Sequence, residues 1–220
     1  MELYEVMRTT FAARDFTDEP VSDEMLHKIF DNARFAASGA NRQGWRVVIV
    51  REEDTKSRIA SLVEPTATRY VAQRDAGEEP YNTINSTLLT EEDFLAMPAP
   101  RNMIDKISFA PVILLIFVDL SVVSSFDSDL DRIGLVSGAS IYPFVWNVLL
   151  AARNEGLGGT LTTFVTGQEE ALKDLLNVPA EFAAAAMIPL GKPTKQLTKL
   201  RRNPVGMFAT QERFDGETLS

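Results

Sequence analysis

Apolar residues along the chain fall into two patterns, short unbroken runs and spaced stripes, and each predicts its own kind of element. RVVIVR (46–51) is a short β-branched run of the kind that forms a buried strand. PVILLIFVDL (111–120) is apolar on both faces and predicts a central strand, while FAAAAMIPLG (182–191) predicts another over 183–190. Stripes at helical spacing lie between these runs. In 22–37, Met25, Leu26, Ile29, Phe30 and Ala33 form one apolar face, with Ser22 as the cap and Asp23 and Glu24 in the first turn, where the macrodipole favours acids. Residues 1–8 predict a short helix, the charged run 51–63 a second, and 167–176 a later one. Residues 134–155 predict a long helix with Val145, Val148, Leu149 and Ala152 on its apolar face and Gly156 as its left-handed cap. Pro143 has no amide hydrogen, so this helix must kink there or start near Tyr142.

From about 64 to 108 the periodicity decays among four prolines and mixed polarity, although aromatic and aliphatic residues persist. The stretch is too apolar for plain disorder. It reads as an irregular excursion with one or two helical turns, a lid or binding wall rather than a linker. The elements together predict one domain over 1–220 of the α+β class. A mixed central sheet of about four or five strands is sandwiched by helices, because strands apolar throughout need cover on both faces.

Composition narrows the chemistry. With 220 residues, 45% of them hydrophobic, the chain can bury one sizeable core. Its net charge of −9 argues against nucleic acid and anionic membrane surfaces as partners. The absence of cysteine excludes disulfides, thiolate nucleophiles, iron–sulfur clusters and thiolate zinc sites, so redox work needs a borrowed cofactor. The single histidine, His27, falls beside the apolar stripe of its helix and reads as a surface residue, which leaves no metal site or hydrolase triad in view. MELYEVMRTTFAAR lacks the pattern of a secretory signal, and PVILLIFV is far shorter than the roughly 20 residues of a membrane span, so a cytoplasmic location is expected.

Three separated segments carry candidate chemistry: RTTFAARDFTDEPV (8–21), AASGANRQGWRVVIV (36–50), and EGLGGTLTTF (155–164) with KLRRNPV (199–205). Arg8, Arg14, Arg201 and Arg202 offer fork-shaped donors for phosphate, although each alone reads as a solvated surface residue. Ser38, Asn41 and Gln43 place short polar groups between a helix end and a strand. The plain alternative there is a helix C-terminal turn with Gly39 at the left-handed position. The glycines of GLGGTLTTF would let backbone approach a flat ring closely, or else mark a capped helix running into a threonine-rich strand.

The order, spacing and residue types of these segments resemble the nitroreductase family of FMN enzymes over almost the whole chain, most weakly between 64 and 108. The resemblance implies FMN as cofactor, NADH or NADPH as co-substrate, and a homodimer with cofactor sites at its interface. It places Arg14 at the flavin ring or ribityl chain, Arg202 on the phosphate, and Thr162 or Thr163 as donor to flavin N5. At the opening, the usual Arg-Arg-Ser is replaced by Thr10, Phe11 and Ala12, so that Arg8, Thr10 or backbone amides must serve instead. Arg201 joins the cofactor-binding set, and no catalytic side chain is required because the hydride chemistry belongs to the cofactor. The implied activity is electron transfer to a small electron-poor acceptor, nitroaromatic or quinone-like. Reductive dehalogenation, enone reduction, flavin cleavage and flavin binding without turnover stand as alternatives.

Overall fold

A computed structural model describes residues 1–219. Its centre is β2 (Val112–Asp119), whose side chains from Val112 to Val118 are all buried. A strand projects alternate residues to opposite faces, and two separate cores use that alternation. Val112, Leu114, Ile116 and Val118 face one core with α2 (Asp23–Ala33) and α6 (Tyr142–Asn154). Ile113, Leu115 and Phe117 face the other, with α3 (Glu53–Asp75), α5 (Arg101–Ser108) and α7 (Glu169–Leu176). Burying a large aliphatic or phenyl side chain contributes about 1.5–3 kcal/mol, so β2 is the main hydrophobic anchor of the molecule.

The sheet has four strands in the order β1-β2-β4-β3, where β1 is Trp45–Val50, β3 is Gly158–Gly159 and β4 is Phe182–Gly191. Every strand pair is antiparallel, with Val47 opposite Ile116 and Leu114 opposite Ile188. The expected mixed sheet is therefore corrected. Parallel pairing among the described residues is confined to one isolated bridge, Ala12 with Gly159. A parallel pair needs a crossover that carries the chain back to the end of the sheet where the first strand began. Here α3, α4 (Glu91–Ala96) and α5 lie between β1 and β2, and the chain re-enters the sheet at the end it left, with Ile113 beside Val50.

Several elements differ from their sequence patterns. The run 46–51 forms the edge strand β1, with Arg46 and Ile49 exposed, rather than a buried strand. Only β2 and β4 have both neighbours of the sheet around them. The helix expected over 22–37 ends at Ala33, and its Ser22 cap is present, with Ser22 Oγ accepting from the Met25 amide at 3.2 Å. The long helix begins at Tyr142 with Pro143 in its first turn, and residues Val136–Ser140 form a separate 3-10 turn. Gly156 has the left-handed φ of 79° expected of a cap. His27 is exposed.

The stretch 64–108 is more regular than its composition suggests. α3 continues through Pro65 to Asp75, and α4 and α5 follow it. Proline deletes one ladder hydrogen bond, but Ile59, Ala60, Val63 and Ala67 are buried on both sides of it, and that packing holds the helix together. α4 starts with a reciprocal cap between Thr90 and Asp93. α1 (Leu3–Thr9) packs against α6.

Candidate functional site

A cavity of about 280 Å³ opens where the chain leaves β3. Arg14, Thr160, Thr162 and Thr163 supply its polar lining together with Lys106, while Met103, Ile107, Leu161, Phe164 and Pro189 supply apolar wall and Tyr70 closes one side. The threonine segment is fixed by the sheet. Thr162 and Met187 exchange both backbone hydrogen bonds, at 3.0 and 2.8 Å, and the Thr163 carbonyl accepts from the amide and the hydroxyl of Thr166. Tyr70 and Phe164 meet edge to face with ring centres 5.3 Å apart.

The glycines before this segment have a different role from the one their sequence suggests. A Cβ at Gly159 would stand 2.8 Å from both Ile188 Cγ2 and the Pro189 carbonyl oxygen, and one at Gly158 would stand 2.8 Å from Pro193 Cγ. These glycines let β3 lie against β4 and Pro193, so the space they leave is filled by the protein itself and not by a ligand.

Arg14 enters the cavity from the strand-like segment that pairs with β3, where the Ala13 amide donates to the Gly159 carbonyl at 3.1 Å. Its guanidinium donates to the Ala12 carbonyl at 3.3 Å and has no ion-pair partner among the described residues. Lys106 is paired, with its ammonium 2.8 Å from Asp15 Oδ1.

The remaining sequence candidates lie elsewhere on this chain. In the loop 38–44, Ser38 Oγ accepts from the Gln43 amide at 3.0 Å, and Gln43 Nε2 donates to Asn41 Oδ1 at 3.2 Å. Ala40, Asn41 and Gln43 all adopt left-handed φ, 52°, 55° and 51°, whereas Gly39 does not, so this is no ordinary glycine-capped helix end. The side chains of Asn41 and Gln43 are exposed. Arg8 is exposed on α1, and Thr10 is buried with its hydroxyl donating to the Val6 carbonyl at 2.8 Å. Arg201 and Arg202 are exposed in the tail, where Arg202 Nη1 donates to the Arg201 carbonyl at 2.7 Å. Of the ten sequence candidates, Arg14, Thr162 and Thr163 are the ones that share the cavity.

Lys106, Tyr70 and Thr160 were missed. Thr160 sits two residues before Thr162 in the same extended segment. The signal for Lys106 was the small stripe Met103, Ile104 and Ile107 within RNMIDKIS, an amphipathic helix hidden among prolines.

A further polar centre organises the segment before α6. Asp127 is buried and its Oδ2 accepts from the Leu135 amide and from Arg132, both at 2.7 Å. The Leu135 amide first, and then Arg132, hold its carboxyl at about 2, well below the ordinary value of 3.8.

A helix-covered antiparallel sheet, with a short edge strand leading into a cavity lined by hydroxyls and cations, makes this an α+β fold, and solved nitroreductase-like structures share it. The chain belongs to the nitroreductase family, whose model matches residues 7–192. It is 28% identical over 210 residues to a nitrobenzene nitroreductase of Ectopseudomonas oleovorans, with 85% of each protein covered. It is 25% identical over 209 residues to iodotyrosine deiodinase 1 of Pongo abelii, covering 93% of this chain but 66% of that protein, so it spans about two thirds of that relative's length. A solved structure of oxidized iodotyrosine deiodinase bound to FMN and 3-iodo-L-tyrosine matches with a TM-score of 0.68 at 23% identity, over 97% of this chain and 100% of that one. At that identity the likeness establishes the fold. Among the described residues no helix is long and apolar enough to cross a membrane.

Proposed function

We propose that the chain is a cytoplasmic FMN-dependent oxidoreductase that passes electrons from NADH or NADPH to a small electron-poor acceptor, nitroaromatic or quinone-like. The observation that carries this reading is the convergence of Arg14, Thr162 and Thr163 on one cavity with an apolar wall. An FMN offers a phosphate, a hydroxylated chain and a flat ring edged with acceptors, and the cavity offers the matching donors. Arg14 has no competing carboxylate among the described residues, so its charge is available to a ligand.

Bound FMN would supply the acceptance and donation of hydride. Arg14 would hold positive charge beside the ring or ribityl chain, where reduction places negative charge. The hydroxyls of Thr162 and Thr163 would donate hydrogen bonds to the ring edge, and Met103, Ile107 and Phe164 would keep water from its face. Donor and acceptor would occupy that face in turn, in a ping-pong cycle.

The cavity of one chain is small. At about 280 Å³ it falls just under the range of about 300–1,000 Å³ typical of small-molecule sites. A homodimer accommodates this, because the loop 38–44 and the arginines of a second copy could complete what one copy leaves open. In that arrangement Ser38, Asn41 and Gln43 serve the neighbour's flavin, and Arg8, Arg201 and Arg202 provide for its phosphate, while the buried Thr10 hydroxyl is already committed to the Val6 carbonyl.

The test is direct. The purified protein is expected to be yellow, to be bleached anaerobically by NADH or NADPH, and to be reoxidised by nitroaromatics or quinones. A colourless protein that takes up no FMN would overturn the reading. The deiodinase relatives favour reductive dehalogenation as a second reading. Reoxidation by a halophenol with release of halide, and not by nitroaromatics, would select it.

A further inference from the structure

A second and larger cavity, of about 580 Å³, lies between α3, α4 and the end of the 3-10 turn Phe164–Gln168. Among the described residues, Arg69 is the one basic residue of its lining. Its guanidinium lies 4.4 Å from the ring centre of buried Phe94 and 5.9 Å from that of Tyr81. Tyr81 is held in a left-handed conformation, φ 53°, which a bulky side chain seldom adopts. Buried Gln73 fixes it there by accepting from the Tyr81 amide at 3.1 Å, and the Tyr81 hydroxyl donates to the Thr66 carbonyl at 3.2 Å. The half-exposed ring thus lines the cavity together with exposed Leu95. Strained backbone that the surroundings over-determine is the kind of feature found at ligand sites.

The two cavities are neighbours. Tyr70 lines the first and Arg69 the second, and the same 3-10 turn contributes Phe164 to one and Gln168 to the other. A reduced nicotinamide dinucleotide has two flat ends joined by a pyrophosphate. If its nicotinamide enters the first cavity, its adenosine needs a flat, partly apolar slot close by. NADPH differs from NADH by a 2′-phosphate, and a guanidinium is the side chain best shaped to grip one.

We infer that the second cavity holds the adenosine half of the electron donor and that Arg69 grips the 2′-phosphate, so the enzyme prefers NADPH to NADH. This rests on the reading of the chain as a nicotinamide-dependent enzyme. The acidic groups at the cavity are already matched: Glu64 lies 3.3 Å from Arg101, and Glu91 lies 3.3 Å from Arg69. Glu91 is largely exposed, and an exposed pair of that length is weak, so a dianionic phosphate displaces it.

The purified full chain is to be titrated calorimetrically with adenosine 2′,5′-bisphosphate and with 5′-AMP. The bisphosphate is expected to bind more tightly, and Arg69→Gln to weaken it by about tenfold or more, narrowing the gap between the two ligands. Glu91→Gln, which frees Arg69, should tighten it, and this opposite sign guards against a variant that merely folds poorly. Steady-state kinetics of Arg69→Gln should show a lower ratio of kcat/KM for NADPH over NADH. Equal affinity for the two adenosine ligands, or a bisphosphate affinity insensitive to both substitutions, overturns the inference even if the protein binds FMN. Failure of the protein to bind FMN overturns the proposed function instead, while the titration still reports on Arg69.

Discussion

Arg14 is the residue on which the proposed chemistry turns. It is a cation without a carboxylate partner among the described residues, lining a cavity with three threonines. Arg14→Ala is expected to weaken FMN binding by about 1.5–3 kcal/mol, the usual worth of a hydrogen bond to a charged group. Flavin fluorescence titration measures it. In the tail, Arg202→Ala should weaken FMN binding more than Arg201→Ala, because the family resemblance places Arg202 on the phosphate. Equal losses in the two variants would dismiss that assignment. Asp127 gives a pH prediction. Its folded value of about 2 lies below the ordinary 3.8, so its stabilising effect is present above about pH 4 and is lost as pH falls through 2. Asp127→Asn should therefore be less stable than the parent at pH 7, with the difference shrinking towards pH 2 in denaturant titrations followed by circular dichroism.

Among the elements, β2 and β4 were legible because a run of apolar residues can be buried on two faces only inside a sheet. β1 has the same β-branched composition, but one-dimensional pattern does not say which strand ends at an edge. The cap at Ser22 and the left-handed Gly156 were legible because both are local chemistry. The helix starting at 53 was legible too, but most of the helical content of 64–108 was not, because proline reads as a break and only contacts distant in sequence keep α3 continuous through Pro65. Thr162 and Thr163 were reached through resemblance, and Lys106 was not, since its helix carries no motif. Pro65 is exposed and interrupts an otherwise good helix. Pro65→Ala should raise stability by about 1–3 kcal/mol, less whatever proline saves by stiffening the unfolded chain. Urea denaturation decides it, and an unchanged midpoint would mean the helix has already relaxed around the proline.

For the whole molecule, the distribution of apolar surface carries the expectation. Phe35, Phe126, Phe208 and Phe214 are largely exposed, as is Met207, and Tyr142 and Trp146 on α6 are partly so. Exposed aromatic surface on this scale is characteristic of an association face. Light scattering should give a dimer mass with flavin bound, whereas a persistent monomer with bound flavin at micromolar concentration would rule out a shared site. Removing residues after Pro204 should lower dimer stability and flavin retention together, since a ligand held by both chains links the two equilibria.

The exchange of hydrogen bonds between Thr162 and Met187 has a consequence for motion. It ties one wall of the first cavity to the most deeply buried part of the sheet, so the amides of Thr162 and Met187 open to solvent only when the core itself opens. The facing wall is α5, eight residues long and preceded by the six-residue α4. Helices of that length are marginal by themselves and are held only by their packing. Deuterium should therefore enter α4 and α5 orders of magnitude sooner than it enters β4. A vessel with one fixed and one yielding side would take acceptors of unequal width without disturbing the groups proposed to hold the cofactor, and their breadth would then be set by α5.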